Sequence, residues 1–111
     1  MNLLMDQRRT RRFKLQLPLS ITRSGVARTT LAGRTKDISS SGVLFTTDRE
    51  PDVASSIEYV ITLNHDGTQP VNLRCVGKIV RMERTPPSLG EGPLAYQVAA
   101  TLERYEFIRE Q

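Results

Sequence analysis

The chain has 111 residues, among them 16 Lys and Arg, 12 Asp and Glu, one His, one Cys and no Trp. That length supports one small domain with a modest core, which aliphatic side chains must fill. A lone cysteine excludes an internal disulfide, and no apolar run approaches the ~20 residues of a membrane span. One His and one Cys leave too few groups for a metal centre or a nucleophile–base pair, so a non-enzymatic protein is expected. The start Met1-Asn2-Leu3-Leu4-Met5-Asp6 lacks the basic and apolar regions of a secretory signal, and a cytoplasmic location is the simplest expectation.

Charge is unevenly spread. Nine of the 16 basic residues lie in residues 1–36, where Asp6 is the single acid. Such a basic third points to an anionic partner. The density peaks at Arg8, Arg9, Arg11 and Arg12, with Arg8 and Arg12 spaced R-x-x-x-R. A guanidinium is a planar fork of donors that fits a phosphate, or the N7/O6 edge of guanine, two bonds at a time. These residues are read as a flexible basic arm, residues 1–12, leading into a domain over residues 13–111.

The arm ends where alternation begins. Phe13, Leu15, Leu17, Leu19 and Ile21 share one phase, which predicts a half-buried strand with Phe13 inward. Pro18 falls on the outward phase and predicts an edge strand or a bulge. Ser24-Gly25 is a turn signal. Residues 26–36 form a weaker strand pattern, with Gly33 as a candidate bulge. Asp37-Ile38-Ser39-Ser40-Ser41-Gly42 then interrupts, because Asp and Ser side chains bond nearby backbone and Gly relaxes it. Val43 to Thr46 resumes as a strand, and polar residues 47–56 form a loop.

Ile57, Tyr59, Ile61 and Leu63 alternate as a further strand. Asn64-His65-Asp66-Gly67 reads as a hairpin turn, which makes His65 a turn residue rather than a ligand. Val71 to about Met82 reads as one long strand with Cys75 in the core phase. Residues 85–93, with three prolines, form a loop. Leu94 to Leu102 is a last strand, with Tyr96, Val98, Ala100 and Leu102 on one phase. From about Glu103 a short C-terminal helix is predicted, with Tyr105, Phe107 and Ile108 free to dock. Arg81 and Arg104 are read as surface cations. The sum is an all-β domain, a small six-stranded antiparallel β-barrel closed to remove exposed edges.

Arg8-x-x-x-Arg12 before a Phe-x-Leu-x-Leu-Pro strand, followed by Asp37-x-Ser39-x-x-Gly42, resembles the PilZ domain. The Gly-Val-Leu-Phe, Cys-Val-Gly-Lys-Ile-Val-Arg and Tyr-Gln-Val-Ala strands extend the resemblance over nearly the whole chain. It implies a six-stranded barrel with a C-terminal helix and binding of the bacterial second messenger cyclic di-GMP. Its ligand residues map to Arg8, Arg12, Asp37, Ser39 and Gly42. Arg9, Arg11 and Gly77 are secondary candidates, Gly77 by the looser match. The residue chemistry is compatible: a carboxylate such as Asp37 accepts from guanine N1–H and N2–H₂ together, and Ser39 donates to an acceptor oxygen, though Asp37 and Ser39 are also residues that close turns.

No cofactor is implied beyond that ligand, and the output would be an unidentified protein contacted in trans by an arm that orders on binding. Two other readings stay open: a ligand-free PilZ-like adaptor, and a single-stranded nucleic-acid binder, disfavoured because few aromatics are available for stacking. Oligomeric state, pathway and the number of ligands bound are left open.

Overall fold

The computed structural model describes residues 12–52, 56–63, 71–85 and 95–109. Arg8, Arg9, Arg11, His65 and the residue 86–94 loop lie outside those residues. The described chain forms eight strands: β1 (Pro18–Ser24), β2 (Ala27–Ile38), β3 (Gly42–Thr47), β4 (Ile57–Thr62), β5 (Val71–Gly77), β6 (Ile79–Thr85), β7 (Ala95–Thr101) and β8 (Arg104–Arg109). They make one antiparallel sheet in the order β6-β7-β3-β2-β1-β4-β5-β8.

The period-two pattern sets which face is buried. Leu19 and Ile21 from β1, Val43 and Phe45 from β3, Ile57, Tyr59 and Ile61 from β4, and Val98 and Ala100 from β7 all point into one core. Cys75 joins them from β5, as its phase predicts. Phe45 and Tyr59 pack with ring centroids 6.0 Å apart. The polar tips in this cluster are satisfied: the Tyr59 hydroxyl donates to the Thr101 carbonyl at 2.9 Å and the Cys75 thiol to the Leu73 carbonyl at 3.6 Å.

Several expectations are corrected. The sheet is open and eight-stranded, not a closed six-stranded barrel, and no C-terminal helix forms among the described residues. The reason lies in residues 71–85 and 104–109. The long strand expected from Val71 breaks at Lys78, so that β5 pairs with β4 while β6 pairs with β7. The Lys78 N–H donates to Thr101 Oγ1 at 2.9 Å and its carbonyl accepts from Thr101 N at 2.8 Å, which fixes the joint. The edge of β5 that a closing strand would use is taken by β8. Residues 104–109 also alternate, and their aromatic and β-branched members suit a pleated surface better than a helix. The register sets Glu106 opposite Arg74, and their charged groups lie 3.5 Å apart.

The first strand also differs. Among the described residues before Pro18 the pairing is an isolated bridge, Phe13 to Ile38, rather than a strand, and Phe13 is 53% exposed rather than inward. Pro18 opens a strand that is central, between β2 and β4, and not an edge; the first position is where its missing N–H is tolerated, and the strand carries the alternative feature, a register shift between Ile21 and Arg23. Strand β2 bulges against β3 between Thr35 and Asp37 and shifts register against β1 between Arg28 and Leu31, and neither irregularity falls at Gly33.

Candidate functional site

The root of the arm lies along the end of β2, held by backbone and by one buried threonine. Phe13 N donates to Ile38 O at 2.8 Å, and Ile38 N returns a bond to Phe13 O at 2.9 Å. Thr35 Oγ1 accepts from Leu17 N at 2.8 Å and donates to Leu15 O. The tethered segment delivers Arg12 to the second motif. Its Nη1 lies 2.6 Å from Asp37 Oδ1, although 25 residues separate the two in sequence. Arg12 is 61% exposed and Asp37 16% exposed. So exposed an ion pair contributes at most about 1 kcal/mol to stability; its interest is positional.

Asp37 reaches the outer face because of the bulge. Thr35 pairs with Phe45 and points into the core, so strict alternation would turn Asp37 inward as well. Lys36 is the extra residue, and beyond it Asp37 pairs with outward-facing Leu44. Bulges re-aim side chains in this way. The Lys36 amine then bonds Gln97 Oε1 at 3.0 Å across the sheet.

The turn from Ser39 to Ser41 is closed by Ser39 itself. Its hydroxyl accepts from Gly42 N at 3.2 Å and from Ser41 N at 3.3 Å, and lies 3.2 Å from Gly42 O. At 4% exposure, Ser39 is engaged within the turn that it forms. Gly42 sits against β7, where an added Cβ would lie 3.0 Å from the Ala100 carbonyl oxygen.

Together these residues border a groove of about 420 Å³ on the outer face of β3, β7 and β6. Arg12, Asp37, Ser41 and Gly42 line one side, Val80 and Arg81 the other, with Leu44 and Ala99 between them. The volume falls in the range of small-ligand sites. Of the expected residues, the structure brings Arg12, Asp37 and Gly42 to this groove. Ser39 does not line it but bonds Ser41 and Gly42, which do, and Gly77 packs against the backbone of Thr101. Arg8, Arg9 and Arg11 lie outside the described residues.

The PilZ domain family model matches residues 6–101. The chain belongs to the PilZ family. The match spans both motifs and every strand of the groove, and it ends before β8. PilZ domains are in general cyclic di-GMP receptors, binding domains rather than enzymes. No curated protein and no solved structure matches the chain. Among the described residues, no helix is long and apolar enough to cross a membrane.

Sequence reasoning missed Ser41, Leu44, Ala99, Val80 and Arg81 as members of this PilZ groove. Ser41 is an unassigned position inside the recognised motif and Leu44 lies two residues beyond it, so both could have been found from the motif itself. The other three are placed by the pairing of β7 with β3 and β6, which no local signal encodes.

Proposed function

We propose that this PilZ domain binds cyclic di-GMP in the groove of β3, β7 and β6 and signals the bound state to a partner protein in trans. The observation that carries the reading is the meeting of Arg12 with Asp37 at 2.6 Å, at the rim of a groove of ligand size. A donor fork and a carboxylate side by side match a guanine nucleotide, which presents phosphate and O6/N7 acceptors together with N1–H and N2–H₂ donors. Arg8 and Arg12 grip phosphate and guanine acceptor edges. Asp37 takes the guanine donor edge, exchanging its bond to Arg12 for bonds to the base.

Ser39 holds the turn in shape, Ser41 and Gly42 offer the surface that the ligand approaches, and Arg9 and Arg11 add secondary phosphate contacts. Arg12 is anchored through Phe13 to β2, so an arm that closes over the ligand is fixed at its root. The surface created by that closure is what a partner would read.

Isothermal titration of cyclic di-GMP into the wild type and into Arg12→Ala, with GTP and a short oligonucleotide as controls, tests this. Losing one charge-assisted bidentate partner costs about 1.5–3 kcal/mol, so Arg12→Ala binds about tenfold or more weakly. Absence of cyclic di-GMP binding by the wild type would remove the proposal. Oligonucleotide binding that falls steeply with salt would put a nucleic-acid interface in its place.

A further inference from the structure

The groove has a second arginine, and the sheet delivers it in the same manner as Asp37. The β6–β7 register shifts between Ile79 and Arg81, so Val80 is an extra residue in β6. Ile79 pairs with buried Ala100 and turns inward, whereas Arg81 pairs with outward Ala99. Without the bulge Arg81 would face the core.

The pairings then place four residues in one row across the outer face. Asp37 pairs with Leu44, Leu44 with Ala99, and Ala99 with Arg81. The row spans three strand spacings, about 14 Å between its end Cα positions. Its centre is apolar and low, Leu44 and Ala99, and each end is charged. The short stem of Asp37 and the long stem of Arg81 leave room for one purine lying on that floor. Among the described residues the Arg81 guanidinium makes no ion pair.

We propose that Arg81 is a specificity-determining residue that binds the O6/N7 edge of the guanine whose donor edge faces Asp37. This rests on the cyclic di-GMP reading and deepens it. A guanidinium can only donate. Guanine offers two acceptors on that edge, while adenine offers N7 beside an amino donor that opposes the fork. Arg81 therefore selects guanine over adenine, and charge alone does not reproduce the selection.

The test is titration of cyclic di-GMP and cyclic di-AMP into the wild type, Arg81→Ala, Arg81→Lys and Arg12→Ala. Arg81 is exposed, so matching thermal melts check that its variants stay folded. Arg81→Ala should bind cyclic di-GMP about tenfold more weakly and lose much of the preference over cyclic di-AMP. Arg81→Lys should recover part of the affinity but little of the preference. Wild-type affinity in Arg81→Ala, beside weakened binding in Arg12→Ala, would overturn the Arg81 assignment and leave the receptor reading standing. An equal loss for both dinucleotides, or full recovery by lysine, would reduce Arg81 to a phosphate-facing charge and overturn the specificity. No binding of either dinucleotide by the wild type would overturn both readings.

Discussion

Tyr59 and Cys75 lie opposite each other in the β4–β5 ladder, both fully buried. Burial pushes the Cys75 thiol from 9.0 up to about 12. Burial, followed by the charges of Cys75 and Glu103, holds the Tyr59 phenol protonated well above its ordinary range. Both groups keep their protons in the fold and release them more readily when unfolded. Their contribution is whole below about pH 9, and stability falls as the unfolded chain ionises while the native one does not. Chemical denaturation should therefore show a midpoint that drops between pH 9 and 12, with a shallower drop in Cys75→Ala. The buried thiol should react with a thiol reagent only as fast as the protein opens, and readily in denaturant.

At the scale of elements, inner and outer strands differ in what they hold. Phe45 sits in β3 with no exposure, under Tyr59. Phe45→Ala should cost about 3–5 kcal/mol, the usual range for emptying a buried aromatic site. Strand β8 is an edge, and its Tyr105 and Phe107 are 59% and 63% exposed while stacking edge to face at 6.0 Å. Phe107→Ala should cost about 1 kcal/mol or less, because little area leaves water there. Urea titrations of the two variants check the contrast. The same residues account for the mistaken C-terminal helix: Arg104 to Ile108 carries a strand alternation that is informative only once β5 offers an edge to pair with. The sequence does contain the alternation, but not the vacancy beside β5.

The molecule as a whole depends on the joint at Gly77 and Lys78, where β5 and β6 part to serve opposite ends of the sheet order. A Cβ on Gly77 would lie 1.8 Å from the Thr101 carbonyl oxygen, which is backbone and cannot turn aside. Gly77→Ala should therefore destabilise by about 1–3 kcal/mol or more, read as a lower denaturation midpoint. Gly77 is thus a packing requirement of the joint. Because Thr101 also lines the groove, the variant should weaken ligand binding through displacement of β7.

The local pattern of this chain determined β1 to β4 and β7, most of their inward phases and the two motifs, because alternation, turn residues and charge clusters act over a few positions. Leu19, Ile21, Phe45, Tyr59 and Val98 are buried as their phases require. The tertiary structure decided where those strands meet. Pairing of β2 with β3 and of β6 with β7 made extra residues of Lys36 and Val80, and so turned Asp37 and Arg81 outward. A bulge exists only between two strands, so neither strand's own sequence contains it. The open sheet has the same origin: whether residues 104–109 coil or pair depends on an edge that only the assembled fold supplies.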